Sequence, residues 1–268
     1  MLYTIGDIAK MLGISTEGLR YYEECGIITP KKRKGSTYRY YDTWDLHLLV
    51  SARSYRSLGF SLQETAEIIN SNQPIDISGM LDAREKELEE AILLNLNLLK
   101  RSAQIRTMFQ EYQSMDFRYR IENSPGFYSI NIQDEYSLKN SLTSLALSHE
   151  WITKIPFVFS CIFLTKDTLE KGGNKFHVGL GIDEKFAQFL KIKEDDSISY
   201  FPPRRSVYTT LKSRSDVVFS SAHLSGAMDY IDTQGLKLAD DAFLMVFNIH
   251  QANGFRKSAH CVWLPIED

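Results

Sequence analysis

Residues 18–42 read GLRYYEECGIITPKKRKGSTYRYYD. Two clusters of arginine and tyrosine, Arg20-Tyr21-Tyr22 and Tyr38-Arg39-Tyr40-Tyr41, stand on either side of a lysine-rich turn. Between Cys25 and Tyr41 there are five basic residues and no acid, in a chain that holds 31 Lys+Arg against 34 Asp+Glu. A basic patch on a near-neutral chain fits phosphate contact at one face and not a general coating of nucleic acid.

Toward the N-terminus, Thr4 followed by Asp7 has the spacing of a capping box, and Ile5, Ile8, Ala9 and Leu12 then recur at helical intervals until Gly13. Ser15 caps a second helix whose buried stripe is Leu19, Tyr22 and Cys25, ended by Gly26. Two short helices joined by a glycine turn form a helix-turn-helix, whose second helix enters the major groove. Thr16, Arg20 and Tyr21 lie off the buried stripe and are left to face DNA.

Toward the C-terminus, Pro30 and Gly35-Ser36 supply turn chemistry, and Ile27-Ile28 with Tyr38 to Tyr40 are expected as the extended arms of a wing. In such a wing Lys32, Arg33 and Arg39 meet phosphate while Tyr38 and Tyr40 pack on sugar. Thr43 is expected to cap a third helix, and Ser61-Leu-Gln-Glu64 is a capping box for a fourth.

From Met80 to Met115 there is no proline or glycine. Heptad series run through Leu81, Leu88, Asn95, Ser102 and Phe109, and through Arg84, Ala91, Leu98, Ile105 and Tyr112. They predict a dimerisation coiled coil seamed by Leu81, Leu88, Asn95, Leu98 and Ile105, with Asn95 setting register. From Phe117 onward the pattern becomes mixed. Strand-like segments at Phe117–Ile121, Phe127–Ile132, Phe157–Leu164 and Phe176–Ile182 enclose a helix-like Tyr136–Trp151. Val207–Leu211, a helix near Ser221–Asp232, Phe243–His250 and Ala259–Leu264 repeat that order. Two β-α-β-β units predict one duplicated domain with a groove between its halves. The expected organisation is an α+β chain with a winged helix-turn-helix at 1–75, a dimerisation helix at 76–116 and a duplicated β-α-β-β domain at 117–268, which the resemblance described below makes an effector-binding domain.

Strand parity places Phe157, Phe159, Cys161 and Phe163 on one face, with Cys261 and Trp263 together on another strand. These residues, with Tyr208, Phe219, Tyr230 and Asn248, are the expected lining of an aromatic effector groove. Cys25, Cys161 and Cys261 are too dispersed for a disulfide framework or a zinc site, the histidines lack ligand spacing, and no metal or cofactor is expected. The opening MLYTIGDIAK is not a signal sequence and no apolar run approaches a membrane span, which points to a cytoplasmic, nucleoid-associated protein without a membrane partner.

The segments YTIGDIAKMLGIS, LRYYEECGIITPKKRKGSTYRYYD and LGFSLQE, in that order, resemble the DNA-binding domain of the MerR family of bacterial transcription regulators. The resemblance implies a homodimer on double-stranded promoter DNA that distorts the operator for RNA polymerase when an effector binds. The second half is similar to GyrI-like effector-binding domains, on its element order, the Pro203-x4-Tyr208 strand entry and the closing Cys261-Val-Trp-Leu-Pro265. That arrangement is found in multidrug-sensing activators, which hold lipophilic cations between aromatic rings and glutamates. Here Cys261 and Asn248 stand where acids are expected, so a hydrophobic small-molecule effector held with little help from a carboxylate is predicted. Two other readings stay open: a DNA-binding repressor with a vestigial pocket, and the small-molecule hydrolysis of some GyrI-like domains. Metal-sensing relatives carry cysteines at the ends of the dimer helix, where this chain has Ile77-Ser78-Gly79 and Ser114-Met115.

Overall fold

The structure, a computed structural model, describes residues 2–32, 38–71, 76–114, 119–193, 195–214, 219–252 and 254–267. The chain divides into two compact units, Met1–Leu94 and Asn95–Asp268.

In the first unit, β1 (Tyr3–Thr4), α1 (Ile5–Leu12), α2 (Thr16–Glu24), β2 (Tyr40–Tyr41), α3 (Thr43–Ser57) and α4 (Leu62–Asn70) surround one apolar cluster. Ile8, Leu19, Ile27, Ile28, Tyr41, Leu49 and Ala52 are fully buried there. Burial of each larger side chain contributes about 1.5–3 kcal/mol. Local chemistry sets the helix starts. Thr4 and Asp7 form the capping box of α1, Ser15 accepts the Gly18 N–H, and Ser61 and Glu64 box the start of α4. Gly13 ends α1 at φ 62°, a conformation that an L side chain adopts only with strain. The cap of α3 is Asp42 and not Thr43, because the Asp42 carboxylate reaches the Asp45 N–H at 3.1 Å and Thr43 already belongs to the first turn.

The wing also differs from expectation. Ile27 and Ile28 are not an extended arm; they turn inward and fill the core. The arms pair instead at Lys31 and Tyr40, with N–H···O distances of 2.7 and 3.1 Å, and Tyr3–Thr4 pairs with Tyr40–Tyr41. The predicted tip, Arg33 included, lies outside the described residues.

Helix α5 (Ile77–Ser114) begins in the first unit and ends in the second. At its start, Arg84, expected as a polar break in the seam, donates from Nε to the Leu58 carbonyl at 2.7 Å and closes the end of α3.

The second unit is built on a nine-stranded sheet. Its strands are β3 (Arg120–Asn123), β4 (Phe127–Asp134), β5 (Ser137–Leu138), β6 (Val158–Leu164), β7 (Phe176–Asp183), β8 (Ser199–Phe201), β9 (Arg205–Arg214), β10 (Ala242–Ala252) and β11 (Phe255–Pro265). Spatial order is β3-β9-β11-β10-β6-β7-β4-β5, with β8 beside β4. The helices are α6 (Leu142–Ile152), α7 (Lys166–Lys171), α8 (Glu184–Ala187) and α9 (Ser225–Thr233), the last preceded by a 3-10 turn at Ser221–Leu224. The halves β4-α6-β6-β7 and β9-α9-β10-β11 repeat one order, and β9-β11-β10 mirrors β4-β7-β6 about the β10/β6 junction. Antiparallel alternation sends even-numbered residues such as Leu164, Leu180, Val262 and Leu264 under the helices. Odd-numbered Phe127, Phe159, Cys161, Phe243, Met245, Cys261 and Trp263 form the opposite face. The C-terminal half of α5 lies on that opposite face: Met108 joins its cluster, Phe109 and Tyr112 meet Phe247 edge-on at 5.3 and 5.5 Å, and Gln104 donates to Asp183 at 2.9 Å.

Candidate functional site

On α2, Leu19 is buried and Arg20 and Tyr21 are exposed, as a recognition helix requires. Thr16 is half-buried and its hydroxyl donates to Glu17 at 3.3 Å. Lys32 is exposed, Tyr38 is 73% exposed, and Tyr40 is half-buried within β2. Glu23, near the end of α2, accepts the Tyr41 hydroxyl and forms an ion pair with Arg39, its Oε2 3.2 Å from Nε. Burial and this carboxylate hold the Tyr41 phenol well above its ordinary pKa. Arg39, expected on phosphate, thus also ties the second arm of the wing to the recognition helix. Lys31 pairs with Asp42 at the foot of the first arm and, with the Asp45 N–H, lowers the Asp42 carboxyl to about 2.

Along α5 the residues expected at the seam differ in exposure. Leu81 and Ile105 are half-buried, Asn95 is exposed, and Leu88 is 43% exposed. Leu98 does not belong with Leu88, because it packs on the Trp151–Phe186 cluster of its own chain. The outward apolar line runs instead through Leu88, Ile92, Leu96 and Leu99, with Ile92 and Leu99 each 67% exposed. Leu98 meets the Trp151–Phe186 cluster and Tyr112 meets Phe247, so the C-terminal unit takes the face they share and the free stripe lies about one residue further around the helix.

On the open face of the sheet, two adjoining cavities of about 220 and 170 Å³ share Phe163, Phe201 and Asp241. Phe127 and Phe243 complete the aromatic wall of the larger. Phe127 stacks on Phe201 at 4.8 Å and meets Phe243 at 4.4 Å, while Phe163 stacks on Phe201 at 5.0 Å. Asp240 and Asp241 lie in the cavity wall; Asp240 pairs with Arg204, and Asp241 accepts the Lys166 N–H at 2.8 Å.

Of the residues expected to line a groove, Phe159, Cys161, Tyr208, Cys261 and Trp263 do gather in one cluster on this face. They do not line the larger cavity, but Trp263 stacks on Phe243 at 4.8 Å, which does. Phe157 is elsewhere: β6 starts only at Val158, so parity does not extend back to it, and it packs on Phe186 and Phe189 beneath the helices. Phe219 and Tyr230 belong to the helix-covered side too, against Phe176 and Tyr119. Asn248 sits past a bulge in β10, beside His250. Two carboxylates from other elements reach this cluster. The Tyr208 hydroxyl donates to Glu111 on α5 at 2.9 Å, and the Trp263 indole N–H to Glu122 on β3 at 3.2 Å. Helical parity and strand register hide such juxtapositions from a linear reading, although Phe127 and Phe243 are visible as aromatic strand openers.

Burial raises the Cys161 and Cys261 thiols to about 12, which keeps both protonated at neutral pH. Among the described residues no His, Cys, Asp and Glu group is placed to hold a metal ion, and no helix is long and apolar enough to cross a membrane.

A recognition helix braced by a wing, followed by a long helix and a separate sheet unit, defines a winged helix-turn-helix transcription regulator. Residues 3–72 match the MerR HTH family regulatory protein family. The HTH-type transcriptional regulator CueR of Escherichia coli is 34% identical over 112 residues, covering 41% of this chain and 73% of that protein. HmrR of Sinorhizobium medicae is 36% identical over 93 residues, covering 33% and 63%. The chain belongs to the MerR family, and it is a DNA-binding transcription regulator. An EcmrR–DNA complex spans 99% of this chain and 100% of that one at 16% identity, with a TM-score of 0.38, too low to carry an argument.

Proposed function

We propose that this regulator works as a homodimer on promoter DNA, with a GyrI-like second unit whose aromatic cavity binds a flat apolar effector and thereby switches transcription with RNA polymerase. The observation that carries this reading is the cavity itself: four phenylalanines from β4, β6, β8 and β10 around about 220 Å³, with Asp240, Asp241 and Arg204 in its wall. Apolar walls with a few polar groups are the usual make-up of a small-molecule site. The outward line of Leu88, Ile92, Leu96 and Leu99 supports pairing of two copies, since long apolar stripes on a helix are ordinarily covered. DNA distortion costs a few kcal/mol, which is within reach of ligand coupling.

Asp240 is already paired with Arg204 in the same wall, so Asp241 is the carboxylate that changes the expected selectivity. A cation facing rings and carboxylates gains about 1–2 kcal/mol over a neutral isostere, or roughly five- to thirtyfold in affinity. The test titrates N-methylacridinium and neutral acridine at pH 8 against the full chain, with in vitro transcription from its own promoter alongside. Binding of both with a preference for the cation, accompanied by changed transcription, is expected. Binding without any transcriptional effect favours the repressor with a vestigial pocket, and failure of both compounds to bind removes the effector reading.

A further inference from the structure

On the helix-covered side of the sheet, the turn after α8 comes up beside α6. Lys191 makes that turn at φ 53°, in the left-handed region, and the Ile192 N–H donates to the Ala187 carbonyl at 3.0 Å. The chain is thereby folded back, so that Ile192 and Ile198 pack on the cluster of Trp151, Phe157 and Phe186. Between α6 and this segment lies a cavity of about 480 Å³, larger than the phenylalanine cavity, with Leu147, Ile192 and Ile198 as its apolar wall. Trp151, which also lines it, is 1% exposed, yet among the described residues nothing accepts its indole N–H. Among those residues the ring nitrogen shut away from solvent without a partner is His260 Nδ1, so the Trp151 N–H opens on the cavity. A buried indole N–H ordinarily finds an acceptor, and this one has to come from the cavity. The charges of the wall are unequally matched. Glu150 is held by Lys154, with Nζ 2.8 Å from Oε1, and Asp195 accepts the Ser197 N–H at 2.8 Å. Lys191 and Lys193, in the same wall, have no carboxylate partner among the described residues.

We propose that this cavity binds amphipathic monocarboxylates. The carboxylate accepts the Trp151 N–H, Lys191 and Lys193 balance its charge, and its aliphatic body covers Leu147, Ile192 and Ile198. Glu150 and Asp195 limit the charge of the head group, since a dianion such as a phosphate monoester is repelled by both. The site is separate from the phenylalanine cavity, which opens on the other face of the sheet. It bears on α5 all the same. Leu98 packs on the cluster that holds Trp151, and Arg101 donates from Nε to the Pro156 carbonyl, between α6 and β6, at 2.9 Å. Occupancy therefore acts on the wall against which this part of α5 rests.

The test uses the full chain at pH 8 with octanoate, with octanamide as its neutral counterpart and with octyl phosphate as a dianion. Calorimetry is expected to show octanoate binding about tenfold more tightly than octanamide, and octyl phosphate more weakly than octanoate. In the chain carrying ¹⁵N-labelled indoles, the Trp151 N–H resonance is expected to shift with octanoate. That resonance is assigned by its loss in Trp151→Phe, or by elimination with Trp44→Phe and Trp263→Phe if that variant does not fold. Lys191→Gln combined with Lys193→Gln, both on exposed side chains, is expected to weaken octanoate binding about tenfold and to leave octanamide unchanged. Octanamide or octyl phosphate equalling octanoate, a lysine variant without effect, an unmoved Trp151 resonance or no octanoate binding at all overturns the proposal. The acridine probes report on the phenylalanine cavity, so their failure to bind would remove the effector reading and leave the octanoate result standing.

Discussion

Phe163 on β6 and Phe243 on β10 are direct cross-strand partners at the junction of the two half-domains, their ring centroids 6.5 Å apart. Each half thus contributes one ring to the same cavity wall. Phe163→Ala is expected to weaken N-methylacridinium binding by roughly tenfold, since a ring contact of this kind is worth about 1 kcal/mol or more. Operator affinity, measured by gel shift without effector, is expected to stay unchanged.

The pairing of copies is testable on α5 by the contrast between Leu98 and its neighbour. Lysines at Leu88 and Leu99 place charges on the outward stripe, at a cost of several kcal/mol if that stripe is buried between copies. Sedimentation is expected to show monomers. Leu98→Ala instead removes a contact with the core of the C-terminal unit, so it should lower that unit's thermal stability and leave the dimer intact. The opposite pattern would return the seam to Leu98.

Glu23 joins the recognition helix to the wing through Tyr41 and Arg39. Tyr41→Phe leaves a nearly buried carboxylate with one partner fewer and is expected to destabilise the N-terminal unit by about 1–3 kcal/mol in urea unfolding. Arg20→Ala, which touches neither group, is expected to leave stability unchanged and to weaken specific operator binding by about 1–3 kcal/mol.

His260 is buried on the helix-covered side of the sheet, with Nε2 near the Ser213 and Ser258 hydroxyls and no partner for Nδ1. Burial first, and the charge of His223 second, lower its pKa from 6.5 to about 4. Above pH 6.5 the ring is neutral both folded and unfolded, and its contribution is complete. As pH falls from 6.5 toward 4 the unfolded chain takes up the proton and the folded chain does not, so stability declines, by about 3 kcal/mol at the limit. His260→Asn is expected to flatten this part of the stability–pH profile, measured by denaturant unfolding between pH 4 and 7.

Much of the first unit was legible in the linear chain because local chemistry decides it. Thr4, Ser15 and Ser61 cap helices through atoms three residues away, and Gly13 stops one through its own backbone freedom. Alternation and element order likewise announced the duplicated strands, and period-7 spacing the long helix. What the tertiary structure alone decided depends on contacts between residues far apart in sequence. Leu98 turns into its own chain because the Trp151–Phe186 cluster takes that side of α5, and Phe157 leaves the groove because its strand starts one residue later. The Phe163–Phe243 pair is set by register across the junction of the halves, which side-chain alternation cannot specify. Glu111 and Glu122 are brought to Tyr208 and Trp263 by a helix and an edge strand, a juxtaposition that no spacing along the chain announces. Periodicity is a property of neighbours along the chain; a cluster that joins α5, β3 and β9 is a property of how the sheet closes around them.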